Sequence, residues 1–239
     1  MINVVCVKWG TKYPSHYVNN LYYMVERRLT VPHRFICFTD DIAGLDPSIE
    51  TRPFENGALV GWWQKLTLFK ETVSDLEGTI LFLDLDVVIL QNIDELATLS
   101  GSGLFAIKEF ALKKKFGLRL FPNKGINSSV MKFDIGSLSF VWDMFEMHKD
   151  QALAMHGDQD WISYCLLKKG IDINYWPRGW CYSFKWGTNF LKNRFFDRDK
   201  NAIPGGGKIC VFHGDPNPHE CKDLGWVKSN WFDAKKHVV

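Results

Sequence analysis

The spacing of apolar residues along the first forty positions predicts a strand, a helix and a second strand. An apolar run over residues 3–7 predicts a buried strand. Apolar residues then recur at helical spacing over 15–29, and Ser15 can cap that helix. A second apolar run, 34–38, predicts the next strand. This order is typical of an α/β protein with a mainly parallel sheet, whose ligands bind beyond the carboxyl ends of the strands.

The longest apolar run, residues 78–90, contains two carboxylates, Asp84 and Asp86. In an extended strand both would face one side and Leu85 the other. Burying two unpaired like charges is costly, and hard divalent cations take carboxylate oxygens as ligands. The run therefore predicts a core strand whose end carries a metal site. The alternative is a strand end with two solvated aspartates.

The remaining pattern continues the alternation of helices and strands. Helices are predicted over 62–72, from 92 or 94 to 99, and over 137–148 and 158–170; strands are predicted over 104–107, 130–133, 171–175 and 208–212. The segment 109–124 is irregular and basic. It is either a solvated surface, a lid over an anionic substrate, or a membrane-surface contact. The sequence shows no repeat or linker, so we expect one domain over residues 1–239.

Composition excludes some classes of protein. A formal charge of +2 does not suggest a nucleic-acid-binding protein, and the hydrophobic content of 46% is ordinary for a globular chain. No apolar run approaches the about 18 residues of a membrane span, and no signal peptide is evident. We expect a cytoplasmic protein, with the stretch 110–124 as a contact at the inner face of a membrane. The six cysteines are expected to be buried free thiols, with a Cys210–Cys221 disulfide as the alternative.

Polar groups stand at the ends of several predicted elements, where such a sheet could bring them together. These groups are Asp84 with Asp86, Asn127 with Ser128, the aspartates and glutamine at 158–160, and His213. Asp158 is positioned to cap the helix that ends at Gly170. Two carboxylates and an imidazole make an open oxygen and nitrogen site that suits Mn²⁺.

Taken in order, these motifs resemble metal-dependent GT-A glycosyltransferases, in particular the family of bacterial lipopolysaccharide galactosyl- and glucosyltransferases and glycogenin. The resemblance spans most of the chain. It is carried by Asp84-Leu85-Asp86, Asn127-Ser128-Ser129-Val130, Asp158-Gln159-Asp160, His213-Gly214 with Pro216 and Pro218, and by Lys65 upstream. Two departures stand out: Ser129 replaces the usual Gly, and Asn217 replaces the Lys usually found before Pro218. Lys208 or Lys222 could substitute for that lysine.

The resemblance implies a single GT-A domain with a mixed, mainly parallel sheet, in which 1–100 mainly binds nucleotide and 101–239 mainly binds donor sugar and acceptor. It implies that Asp84, Asp86 and His213 hold Mn²⁺ or Mg²⁺ against the diphosphate of a nucleotide sugar. The residues that the resemblance implies for binding the nucleotide-sugar donor are Lys8, Trp9, Gly10, Thr11, Lys12, Tyr13, Thr39, Asp40, Lys65, Asp84, Leu85, Asn127, Ser128, Asp158, Gln159 and Gly214.

The resemblance further implies transfer of a hexose, with UDP as the expected carrier, to a glycan or glycolipid. Gln159 would lie close to the reacting carbon of a retaining enzyme. If the reaction inverts, Asp158 or Asp160 becomes the candidate general base.

Two other functions fit parts of the sequence. The run into Asp84 also matches the motif of haloacid-dehalogenase-like phosphatases, with Asp84 as nucleophile, although that motif normally opens the fold. The many aromatic residues alternatively suggest a non-catalytic carbohydrate-binding domain.

Overall fold

The computed structural model of the protein describes residues 1–55, 59–110, 113–115, 118–121, 125–187 and 199–237. The strands are β1 (Ile2–Lys8), β2 (His33–Thr39), β3 (Glu50–Arg52), β4 (Thr79–Leu83), β5 (Val87–Ile89), β6 (Phe105–Lys108), β7 (Lys113–Lys115), β8 (Leu118–Phe121), β9 (Ile126–Asp134), β10 (Asn174–Tyr175), β11 (Cys181–Ser183) and β12 (Ile209–Val211). The α-helices are α1 (Ser15–Arg28), α2 (Asp94–Thr98), α3 (Phe140–Met147), α4 (Lys149–Leu153), α5 (Asp158–Lys169) and α6 (Gly225–Val227). Short 3₁₀ helices span Gly61–Phe69, Pro218–Glu220 and Ala234–His237, and a π-helix spans Lys228–Phe232.

The main sheet has seven strands in the order β10-β6-β9-β4-β1-β2-β3. All neighbouring pairs run parallel except those that β9 makes with β4 and β6. This confirms the predicted α/β class with a mixed, mainly parallel sheet flanked by helices.

Alternate residues of the central strands bury opposite faces of the sheet. Val4 and Cys6 of β1 pack into the cluster that includes α1, whereas Val5 packs into the cluster that includes α3 and α5. A strand covered on both faces is apolar throughout, which explains the unbroken run at 3–7. The helices thereby hold the carboxyl ends of β1 and β4 at one edge.

The predicted strand over 78–90 is wrong in one respect, because it is interrupted at Asp84. β4 ends at Leu83, and a turn over 84–86 leads to β5 in a separate three-stranded sheet with β11 and β12. The N–H of Asp84 donates to the carbonyl of Ser129 (2.9 Å), and the carbonyl of Asp86 accepts from the N–H of Phe212 (2.9 Å). The two carboxylates therefore lie where the chain passes from one sheet to the other, and their common orientation does not come from a strand.

Other predicted elements differ from the structure mainly in type or extent. The helix expected over 62–72 is the 3₁₀ helix that ends at Phe69, and the segment 109–124, expected to be irregular, contains the antiparallel pair β7–β8. Asn127 and Ser128 lie inside β9 instead of before a strand. Ser15 begins α1, but its side chain makes no capping hydrogen bond.

All six cysteines are buried and none of them forms a disulfide, so the expectation of buried thiols is confirmed and the alternative Cys210–Cys221 disulfide is wrong. Within the described ranges, we find no helix with the length and apolar character that crossing a bilayer requires.

Candidate functional site

A cavity of about 430 Å³ opens beyond the carboxyl ends of β1 and β4. It gathers most of the residues that the sequence singles out. The predicted residues that line it are Trp9, Lys12, Tyr13, Lys65, Asp84, Leu85, Asp86, Asn127, Ser128, Asp158, Gln159, His213 and Gly214. Ligands of parallel sheets bind at this edge.

Lys65 is the buried cation of the cavity, and the 3₁₀ helix over Gly61–Phe69 presents it. Its Nζ lies 2.8 Å from Oδ1 of Asp84 and 3.6 Å from Oδ2 of Asp158. Burial alone lowers the pKa of Lys65, but the charges of Asp158 and Asp84 outweigh burial and place the pKa above its ordinary value. Lys65 is therefore an ammonium that compensates two carboxylates.

Asp158 is the first residue of α5, but it does not cap the helix as predicted. Gly157 precedes the helix and no side-chain capping bond forms. The Asp158 carboxylate instead accepts a hydrogen bond from Ser128 Oγ (2.7 Å) and faces Lys65. Burial raises the pKa of Asp158, while Lys65 and Ser128 oppose that rise. Asp158 therefore forms part of the cavity wall. Its pairing with Lys65 lowers the free-energy cost of burying the carboxylate there.

Asp86 has a different partner. Its Oδ2 accepts a hydrogen bond from the phenol of Tyr13 (3.0 Å). Burial, reinforced by the charge of Asp84, raises the pKa of Asp86 to about 7. The pair of aspartates predicted to need a cation is thus partly compensated, by Lys65 beside Asp84 and, below about pH 7, by a proton on Asp86.

His213 follows β12 and is held on three sides. Its Nε2 lies 2.6 Å from Ser183 Oγ. Its ring is flanked by Phe110 and Trp186, with ring centroids 5.4 and 4.7 Å away. Burial and the charge of Lys185 lower the pKa of His213 to about 4. The imidazole is therefore neutral at physiological pH, which is the state that binds metals.

Asp84, Asp86 and His213 all line the cavity, and two carboxylates with a neutral imidazole match the ligand chemistry of Mn²⁺ or Mg²⁺. They are not drawn together into a preformed cluster. Across the described part of the chain, no group of three His, Cys, Asp or Glu side chains lies close enough to hold a metal ion. The residues fit a divalent cation by chemistry and because they line the same cavity, and ligation would require them to approach one another.

Six of the predicted site residues do not line the cavity: Lys8, Gly10, Thr11, Thr39, Asp40 and Asp160. Some of them support its wall. The N–H of Gly10 donates to both carboxylate oxygens of Asp40 (3.1 and 3.0 Å), which ties the loop after β1 to the end of β2. Asp160 lies on α5 outside the lining, because successive residues of a helix face different directions.

Sequence reasoning missed several contacts that shape the site. Gln159 Nε2 donates to Glu109 Oε2 (3.1 Å), and Ser183 holds His213. Glu109 lies 50 residues from Gln159 along the chain, and Ser183 lies 30 residues from His213. Tertiary packing of distant elements joins each pair, and for Ser183 and His213 it is the parallel pairing of β11 with β12. No local motif in the sequence could have revealed these partners.

The fold is the GT-A fold of known glycosyltransferases. No family model matches the sequence. No curated protein matches it either. Among solved structures, the galactosyltransferase LgtC in complex with donor and acceptor sugar analogues superimposes with a TM-score of 0.63 at 15% identity, covering 99% of this chain and 95% of LgtC.

A second similar structure is the glycosyltransferase GlyE of Streptococcus pneumoniae TIGR4. It superimposes with a TM-score of 0.67 at 13% identity, covering 100% of this chain and 63% of GlyE. At identities this low, the structural similarity establishes a shared fold and nothing finer.

Proposed function

We propose that the protein is a glycosyltransferase that moves a hexose from a nucleotide sugar, with UDP as carrier, to a glycan or glycolipid. One observation carries the proposal. In a chain with the GT-A fold, thirteen side chains or loop positions predicted for a nucleotide-sugar site line a single cavity at the carboxyl edge of the sheet. Cavities at this edge are the usual ligand sites of such sheets.

The donor diphosphate would meet two lysines in the cavity, but three carboxylates line it as well, so a bound divalent cation would be needed to balance the charge. Lys65 is a permanent buried charge, and Lys12 lines the same cavity. Asp84, Asp86 and His213 would hold a divalent cation, which would offset the charge that develops on the departing nucleoside diphosphate. Neutral His213 and ionised Asp86 are the states needed for that ligation.

Retention of configuration is the outcome that the site supports better. Inversion needs a carboxylate free to accept the proton of the acceptor hydroxyl. Asp158 is paired with Lys65 and Ser128, and Asp160 does not line the cavity. Gln159 lines it, but an amide is not a base and is suited to orienting a sugar. In the transfer, the bond from the anomeric carbon to the phosphate oxygen breaks, a bond to the acceptor oxygen forms, and the proton of the acceptor hydroxyl passes to the departing diphosphate or to water.

Turnover of UDP-hexoses tests the proposal. The protein is incubated with UDP-glucose or UDP-galactose, Mn²⁺ and mixed glycan acceptors, and UDP release is measured. We expect Asp84→Ala to abolish release, while Asp143→Ala, an exposed aspartate on α3, leaves it unchanged. Unchanged release in Asp84→Ala would contradict the assignment of this motif. Circular dichroism confirms that each variant folds.

The two alternative functions find less support. A phosphatase would need Asp84 as a nucleophile, but the structures that this fold matches are glycosyltransferases. A binding module would explain the aromatic residues but not the shared cavity of carboxylates, lysine and imidazole. No specific observation favours either one.

A further inference from the structure

A second cavity, of about 490 Å³, adjoins the first. Three side chains that line it touch residues that line the first cavity. Glu109 accepts the hydrogen bond from Gln159, and Phe110 and Trp186 flank the ring of His213. Side chains that line the two cavities are therefore in direct contact with one another. A molecule in the second cavity lies next to the residues expected beside the reacting sugar.

The floor of the second cavity is rigid and aromatic. Trp176 is buried, stacks on Phe105 with ring centroids 5.2 Å apart, and donates from Nε1 to the carbonyl of Val130 (3.0 Å). Half-buried Tyr175 precedes it on β10, which pairs with β6. Flat rings held in place by a sheet suit the apolar faces of sugar rings, since they bury area without losing conformational freedom on binding.

The charges of this cavity are unbalanced. Among the described residues that line it, the ionisable side chains with a formal charge at neutral pH are Lys108, Arg178 and Glu109. Glu109 is already engaged by Gln159, whereas Lys108 and Arg178 are exposed. Lys108 Nζ lies 5.7 Å from the centre of the Tyr175 ring. A ring stacked on Tyr175 would therefore bring its substituents under this cation. A cleft with excess positive charge favours an anionic ligand.

We infer that the second cavity binds the acceptor, and that this acceptor is a saccharide bearing an acidic group, either a carboxylate or a phosphate ester. The inference rests on the proposed transferase function and deepens it by naming the acceptor class. Tyr175 and Trp176 supply the surface for the sugar ring. Lys108 and Arg178 supply the charge that selects the acidic group, with the planar guanidinium suited to two parallel hydrogen bonds.

Ligand-observed NMR titrations test the inference, with UDP and Mn²⁺ present. The probes are methyl glucuronide, a glucose phosphate and neutral methyl glucoside. We expect at least one acidic probe to bind about 10-fold more tightly than the glucoside. Preference for the glucuronide or for the phosphate would identify the acidic group, and each result supports the inference.

Variants separate the two contributions. Lys108→Gln and Arg178→Gln should each remove most of the preference for the acidic probe, and Tyr175→Ala should weaken all three probes. The matched control is Lys168→Gln, an exposed lysine on α5. Equal binding of acidic and neutral probes by the unmodified protein would overturn the inference. So would titrations in which Lys108→Gln and Arg178→Gln behave like the control.

UDP binding is measured on the same samples. If UDP binds but the acidic preference is missing, only this inference fails; if UDP does not bind, the proposed function itself fails.

Discussion

Asp86 is the residue whose protonation should govern metal binding. Its pKa is raised to about 7, so it holds a proton below that pH, and a cation must displace the proton to bind. We expect the Mn²⁺ affinity to rise with pH up to about 7 and to fall roughly 10-fold per unit below it. His213, with its pKa lowered to about 4, should not compete in this range.

Calorimetric titration of Mn²⁺ between pH 5.5 and pH 8 measures this dependence. His213→Gln is the control, because it should lower the affinity and keep the same slope. An affinity that is flat across this interval would contradict the role given to Asp86.

Lys65 should matter for stability as well as for the donor. Replacing it with Met leaves Asp158 buried without its cation and takes the nearest cation from Asp84. Removing one partner of a buried pair typically costs about 3–5 kcal/mol. We expect Lys65→Met to lower the free energy of unfolding in urea by about 2–4 kcal/mol, since Asp84 is partly solvated. Adding Asp158→Asn should recover part of the loss.

The exposed variant Lys168→Met is the control for this measurement, and its unfolding free energy should stay within about 0.5 kcal/mol of the unmodified protein. A Lys65→Met protein as stable as this control would show that the ion pairs contribute nothing to folding.

At the scale of elements, the basic strand β7 (Lys113–Lys115) is the segment whose role the sequence left open. The chain around it was expected to be a solvated surface, a lid or a membrane contact. If it acts on the acceptor side, changing all three lysines to Glu should reduce transfer to an acceptor more than it reduces hydrolysis of the donor. Equal loss of both activities, measured with the same UDP-hexose, would exclude an acceptor role for β7.

Strands and helices whose apolar residues recur with one clear period were predictable from the sequence. The points at which a strand is interrupted were not. The buried runs behind β1, β2 and β4 are apolar because both faces of the sheet are covered. Gly170 ends α5 in the left-handed conformation, as its position predicts. The break at Asp84 depends on hydrogen bonds to Ser129 and Phe212, which are remote in sequence. The local sequence pattern does not indicate partners that are so far away along the chain.

At the scale of the whole molecule, the topology brings the motifs together. β1, β4 and β9 are adjacent in the sheet although they lie far apart in the sequence. The loop after β1, Asp84 after β4 and Asn127 on β9 therefore share one edge. The order of motifs was enough to predict thirteen of the residues that line the cavity, although six other predicted residues lie outside the lining. It could not predict the Lys65 pairs, the Tyr13 bond to Asp86, or the second cavity, because these depend on side-chain packing.

The central claim is that this edge binds a nucleoside diphosphate through Asp86 and a divalent cation. Calorimetric titration of UDP, first with Mn²⁺ and then with EDTA, tests it most directly, using the unmodified protein, Asp86→Ala and the control Asp143→Ala. We predict binding that requires Mn²⁺, disappears in Asp86→Ala and persists in Asp143→Ala. Failure of UDP to bind with Mn²⁺, or equal binding in EDTA and in Asp86→Ala, would contradict the account.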